Sequence, residues 1–385
     1  MSGPLSGAAR IPVLDGLRAA AILLVFVRHL LPNVPVDGAA EMLLWRLKWF
    51  GWIGVDLFFV LSGYLITRSL LEMEGLKNRI PLFFSFRLLR IWPLYLLVVS
   101  LALTLPFLFS TPVVVDGGEW LRDRQVWLWL HAANWLVFFE GELPFRLTIL
   151  WSLSIEEQFY LVWPFLIFFL PRRVVVHVLV CYLIAAPLIR AGVLAGPWKI
   201  DLNVFTPLRL DGFAIGALVY LLPESQREKV FGGKAGIWIP LLYLLGAFVQ
   251  QKFVFNQGPA IQSFGYLALA FLFGSLVHRG IEGRFPPPVM KLFSGKAAAF
   301  LALHSYAAYL IHDPLGWLAI ETGLLDLFLR IGFPGWATQL AFFLTMGSAT
   351  CLLSWLAYHL FEKWFLKLKN PVRFALTNGF SKGRA

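Results

Sequence analysis

Leu14–Leu30 reads LDGLRAAAILLVFVRHL, an apolar run of helical length with Asp15 and Arg18 near one end and His29 near the other. A charge inside a hydrocarbon-spanning helix costs roughly 2.5–3.5 kcal/mol on insertion scales. The rest of the chain identifies the solvent this helix meets. Of 385 residues, 59% are hydrophobic and 14% are charged, with a mean hydropathy of +0.72. A soluble domain carries about 25% charged residues. Apolar runs of membrane-spanning length recur from end to end, joined by short polar segments. The pattern predicts an all-α, polytopic membrane helix bundle. No small-residue cleavage site of a signal peptide follows the first run, so that helix is expected to stay.

Expected spans are 11–30, 50–71, 84–110, 148–170, 174–195, 205–222, 235–252, 261–277, 297–318 and 336–359, each near the roughly 20 residues a bilayer demands. The segment 126–139, VWLWLHAANWLVFF, is shorter and carries His131 and Asn134, which suits a re-entrant or interfacial helix. Charge supports that choice. With 126–139 not crossing, about ten spans put both termini on one side, together with Arg68, Lys77, Arg79, Arg87, Arg172, Arg173, Arg227, Lys229, Lys234, Arg279, Arg284, Lys291 and Lys296. The tail residues Lys363, Lys367, Lys369, Arg373, Lys382 and Arg384 join them. Arg46, Lys48, Arg122, Arg124 and Lys199 remain opposite. Under the positive-inside rule the richer side is cytoplasmic. Residues 1–370 then form the integral membrane domain and 371–385 a short basic cytoplasmic tail, in a multi-pass plasma membrane of the bacterial inner-membrane kind.

The same distribution accounts for the formal charge of +11. A nucleic-acid partner would need one contiguous basic face, whereas these residues are scattered through loops, so none is expected. Cys181 and Cys351 both lie in apolar runs and read as small buried hydrophobes, with no disulfide framework and no thiolate metal site.

Polar groups within spans are costly and are functional candidates by default. Arg18 and His29, eleven residues apart, fall on one stripe of a helix about 16 Å apart along its axis. Asp15 is spaced to pair with Arg18. This predicts either a structural ion pair with an interfacial histidine, or an elongated site with an anion near Arg18 and a titratable base at His29. In GVDLFFVLSGYLI, Asp56, Ser62, Gly63 and Tyr64 interrupt an apolar run, and the Ser-Gly pair permits close approach of another backbone or a ligand. FRLLRIWP sets Arg87 and Arg90 on one helix face, spaced either to grip phosphates or to snorkel as anchors. WSLSIEEQFYLVWP places Ser152, Glu156 and Tyr160 on one stripe, with Glu157 turned about 100° away. A carboxylate there can orient an imidazole or bind a hydroxyl. Arg209 and Asp211 stand at the outer mouth of the sixth span, where paired structural roles suit them best. His304, Tyr306, Tyr309 and His312 line the ninth, with His312 near the depth of His29.

Taken in order, Arg18 and His29 with ten residues between them, DLFFVLSGYLI, FRLLRIWP, WSLSIEEQFY, RLDGFAIG and SYAAYLIH resemble the acyltransferase family 3 membrane proteins across nearly the whole chain. The resemblance implies transfer of an acyl group, acetyl in the simplest case, from cytoplasmic acetyl-CoA or another acyl-CoA to a hydroxylated acceptor such as a carbohydrate. It makes Arg18 and His29 essential, with His29 the catalytic imidazole. It adds weight to Arg87, Arg90, Glu156, Ser62 and Tyr160 as site residues. It also implies that the esterase-like domain carried by many members is absent here or supplied by a partner.

Residues and resemblance together predict a donor whose phosphates meet Arg18, Arg87 and Arg90, with Ser62 and Tyr64 beside it. Its pantetheine arm would run along the first helix to His29, and Glu156 would hold the imidazole in the manner of a triad's third member. Asp15, Asp56, Ser152, Tyr160, Arg209, Asp211 and His312 would support the site or the acceptor, and no metal is expected. A proton-coupled transporter of a lipid-linked sugar or solute is the rival class, using His29, Glu156 and Arg18 as a relay. It predicts matched inverted repeats, which are not apparent in the sequence. Another membrane acyltransferase type would use His131 and Asn134. There is no His-x₄-Asp signature, no G-x-S-x-G elbow and no P-loop.

Overall fold

A computed structural model describes residues 10–35, 37–104, 112–197, 200–251 and 258–378. Lys199, Lys382 and Arg384, and the ends of the spans expected over 84–110 and 235–252, lie outside the described residues. The chain is built from helices and turns, with no strand among the described residues. In chain order they are α1 Pro12–Leu30, α2 Ala39–Phe50, α3 Ile53–Glu72, α4 Arg79–Thr104, α5 Pro112–Asp123, α6 Gln125–Trp129, α7 Ala133–Glu140, α8 Leu150–Phe169, α9 Arg172–Ala195 and α10 Asp211–Leu221. They continue with α11 Glu224–Arg227, α12 Ala235–Gln250, α13 Tyr266–Ile281, α14 Pro287–Phe293, α15 Lys296–Glu321, α16 Leu324–Arg330, α17 Gly335–Ala357, α18 Lys363–Lys367 and α19 Lys369–Asn378. Proline and glycine punctuate the series as their backbones require. Pro12 starts α1, Pro171 and Pro334 cap the entry to α9 and α17, and Gly323, left-handed at φ +78°, separates α15 from α16.

Six stretches among the described residues are long and apolar enough to cross a membrane: Ala39–Glu72, Arg79–Thr104, Arg172–Ala195, Glu224–Gln250, Ile261–Ile281 and Gly335–Thr377. The set is smaller than the ten spans expected, and the shortfall has a physical source. α1, α8 and α15 carry the intramembrane charges and histidines, which lower their hydropathy, and they pack inside the bundle. α10 has only 11 residues and follows two 3-10 turns, Leu202–Val204 and Thr206–Leu208, rather than running on from 205. The segment 126–139 is two short helices, α6 and α7, broken where His131 takes a positive φ of +51°.

α3 is the central strut, packing on α1, α8, α10 and α13. Its close approach to α10 depends on glycine. A Cβ on Gly63 would strike the Phe213 carbonyl, and one on Gly216 would strike the Val60 carbonyl. Gly212 and Gly216 are spaced as a small-residue helix-packing pair, so the backbones meet with no side chain between them. α1 packs along α15, and α8 closes against α3 and the 3-10 segment Pro144–Ile149. α19 crosses the boundary expected at residue 370 and docks on α4, where Asn78 Nδ2 donates to the Leu376 carbonyl at 2.5 Å. Cys351 is half-buried, but Cys181 is exposed on α9, against the expectation of a buried small hydrophobe. α9 presents Val178, Val180, Ile184 and Leu188 as exposed too, so the Cys181 side faces what should be lipid.

Candidate active site

His29 ends α1, and its partner comes from far along the chain: His29 Nδ1 lies 2.9 Å from Nε2 of His312, 283 residues later on α15. The hydrogen bonds around His312 fix the proton positions. Its Nδ1 sits 3.1 Å from the Ala308 carbonyl and 2.7 Å from the Tyr309 carbonyl. Carbonyls only accept, so His312 Nδ1 carries the hydrogen and Nε2 is the acceptor in the neutral ring. His29 Nδ1–H therefore donates to His312, which leaves the lone pair on His29 Nε2. His312 is fully buried between Phe26 and Tyr309, with ring centroids 5.6 Å away on each side. His29 is only half-buried. The pair is thus a fixed imidazole behind a more accessible one.

Two further groups brace it. Ser152 Oγ and Tyr309 Oη share a 2.5 Å hydrogen bond, and both reach the Ile149 carbonyl, at 3.2 and 3.1 Å. Ser152 thus ties the start of α8 to the turn of α15 that holds His312. Asp313 accepts a hydrogen bond from Arg146 at 3.2 Å, and Arg146 Nη1 also lies 3.4 Å from the His29 carbonyl. His29, His312 and Asp313 are the one group among the described residues whose donors could surround a cation. Two nitrogens on one tetrahedral zinc stand about 3.3 Å apart. The observed 2.9 Å is a hydrogen bond, and the carboxylate already faces a guanidinium.

Toward the other end of α1, a second cluster forms. Glu156 Oε1 accepts from both Ser62 Oγ and Tyr160 Oη, which knits α8 to α3. Arg18 lies among Arg90, Asp15, Tyr160 and Glu156. Arg87 lies over the Tyr160 ring with 5.2 Å to the centroid. Lys369 of α19 sits over Phe86 at 5.6 Å and within electrostatic range of Arg90 and Arg87. Four cations, Arg18, Arg87, Arg90 and Lys369, therefore gather at this end together with the carboxylates of Asp15, Glu156, Glu157 and Glu362.

Several expected roles change. Glu156 Oε1 accepts from Ser62 and Tyr160, and the group at His29 Nδ1, where Glu156 was expected, is His312. Asp15 makes its hydrogen bond to Arg10 at 2.6 Å rather than to Arg18. Tyr64 is buried edge-on to Tyr220 at the α3–α10 contact, apart from the cation cluster. Asp56, Arg209 and Asp211 are cross-braces. Arg209 pairs with Asp56 at 2.8 Å and lies 3.8 Å from the Tyr266 ring centroid. Asp211 is held by both terminal nitrogens of Arg190, at 2.8 and 2.9 Å, with both side chains fully buried. His131 and Asn134 form no site with His29. His131 is buried and stacked 3.9 Å from Tyr95, and Asn134 knots α7 to Val204, Thr206 and Gln158. Sequence reasoning missed Arg146, Arg190 and Asp313.

Residues 11–359 match the acyltransferase domain family designated acyltransferase family 3. The chain belongs to this family. It is 28% identical over 332 residues to the O-acetyltransferase OatA of Staphylococcus aureus (strain NCTC 8325 / PS 47), covering 79% of this chain and 50% of that protein. It is 29% identical over 340 residues to the peptidoglycan O-acetyltransferase OatA of Listeria monocytogenes, covering 82% of this chain and 51% of that protein. The chain spans about half the length of the curated relatives it matches. No solved structure matches it.

Proposed function

We propose that this chain is a membrane O-acetyltransferase that moves an acetyl group from acetyl-CoA to a hydroxyl of a cell-wall glycan, with His29 as the base. The hydrogen-bond order at His29 carries this reading. An imidazole whose Nδ1–H is fixed by His312 offers Nε2 as a lone pair on the less buried ring of the pair, which is what a general base for a hydroxyl requires. The relatives' names supply the reaction class and suggest the glycan.

In this reading ten segments cross the bacterial inner membrane with both termini cytoplasmic, so the Arg18 end of α1 faces the cytoplasm and the His29 end faces out. Arg18, Arg87, Arg90 and Lys369 would bind the donor's phosphates. The roughly 16 Å from Arg18 to His29 suits a long thin pantetheine arm. His29 Nε2 takes the proton of the acceptor hydroxyl as its oxygen attacks the thioester carbonyl. The new C–O bond forms, the C–S bond breaks, and the imidazolium returns its proton to the departing thiolate. Products are the acetyl ester and free coenzyme A, with the base regenerated. His312 accepts the Nδ1–H bond throughout and keeps the ring in its working tautomer.

The test is transfer by purified protein in liposomes, using labelled acetyl-CoA and a peptidoglycan-derived oligosaccharide. Alkali-labile label in the glycan, matched one-for-one by released thiol, is expected. Donor consumption that never exceeds the protein-free rate would overturn the proposal.

A further inference from the structure

Arg146 occupies a place that the reaction as drawn does not explain. Phe145 and Arg146 follow one another in left-handed backbone, at φ +56° and +55°, within the 3-10 segment Pro144–Ile149. Neither is glycine, and non-glycine residues held there recur at ligand-binding positions. The turn sets Arg146 Nη1 between Asp313 and the His29 carbonyl, while the side chain remains 39% exposed. Among the described residues only Nη1 is engaged, which leaves most of a five-donor fork for a ligand. Two more cations lie in range of the His29 ring, Lys48 and Arg28. Lys48 Nζ donates to Asn33 Oδ1 at 2.7 Å, and Arg28 lies 4.4 Å from the centroid of Trp49. Against these three stand Asp313, which Arg146 already neutralises, and Glu142 beside Arg28. An uncharged sugar hydroxyl needs no such surplus.

We propose that the acceptor is anionic, bearing a carboxylate or phosphate that Arg146 and Lys48 grip beside His29. The inference rests on the acyl-transfer reading and narrows its acceptor class. A guanidinium fork with free donors matches either anion bidentately, and Lys48 adds a point charge from α2. The grip would hold the hydroxyl near His29 Nε2 without entering the chemistry.

The experiment compares a muramic-acid-containing oligosaccharide with free carboxylates against the same oligosaccharide methyl-esterified, with acetyl-CoA as donor. The readout is the ratio of kcat/KM for the two acceptors, so a general loss from disturbing Asp313 cancels. The unaltered protein is expected to favour the free acid by about tenfold or more, an advantage that shrinks as salt is raised. Arg146→Gln, which keeps a donor for Asp313, should lower the ratio roughly tenfold, and Lys48→Gln severalfold. Phosphorylated and carboxylated acceptors of the same length show which anion is preferred, and either preference supports the site. A ratio near one in the unaltered protein, or a ratio unmoved by both variants, overturns the anion site while leaving acyl transfer standing. No transfer to any acceptor removes the acyl-transfer reading itself.

Discussion

Replacing Arg190 with methionine should be among the most damaging single changes far from the chemistry. Arg190 and Asp211 are both fully buried, and the guanidinium grips the carboxylate through two bonds of 2.8 and 2.9 Å. It also donates to the Ser263 carbonyl at 3.0 Å and to the Leu208 carbonyl. Arg190→Met leaves the Asp211 carboxylate in a site without solvent, which costs about 3–5 kcal/mol when one partner of a buried pair is removed. Asp211→Leu alone strands the guanidinium and should cost about as much. The double variant strands neither charge, so it should recover about 2–3 kcal/mol relative to the sum of the single losses. The lost carbonyl partners keep it below the unaltered protein. The assay is thermal unfolding in one detergent. At roughly 2 °C per kcal/mol for a large chain, each single variant should fall about 6–10 °C and the double should fall by less than the two together. Strict additivity would show that the pair does not couple and would refute the cross-brace.

His312→Leu removes the acceptor for His29 Nδ1–H and should lower kcat by about 10²-fold with the KM for acetyl-CoA unchanged, read by steady-state thiol release. Lys369→Ala, and Arg87→Ala with Arg90→Ala, should raise the KM for acetyl-CoA by about tenfold or more while leaving thermal unfolding within a degree or two. Gly216→Leu should prevent accumulation of folded protein in the membrane fraction, because its side chain would strike the Val60 carbonyl and α3 cannot move off α10 without straining the Asp56–Arg209 ion pair.

The fold class was legible because composition and run length report on solvent directly. The stripe joining Arg18 to His29 was legible because helical geometry is fixed once a helix is assigned. Partner choice was not. His312 is 283 residues from His29, and spacing arguments reach only a few turns. Glu156 looked equally able to orient the imidazole, and only the packing of α3 against α8 shows its oxygen taken by Ser62 and Tyr160. Arg190 carried a readable signal, an arginine inside an apolar run, which intramembrane cost alone would have flagged. Arg146 carried none, since nothing in PFRLTI announces two successive non-glycine residues in left-handed backbone. Fewer crossings stand out by length and composition among the described residues than the ten expected, for a related reason. The helices that hold the site pack against other helices, and their polar side chains erase the hydropathy that identifies a crossing.

Single-turnover acetyl transfer by His29→Ala, run beside direct measurement of its acetyl-CoA affinity, tests the heart of this account. Transfer should slow by about 10³-fold or more, with donor affinity within about twofold of the unaltered protein. Transfer at the unaltered rate would contradict it, because the lone pair held in place by His312 would then have no part in moving the acetyl group.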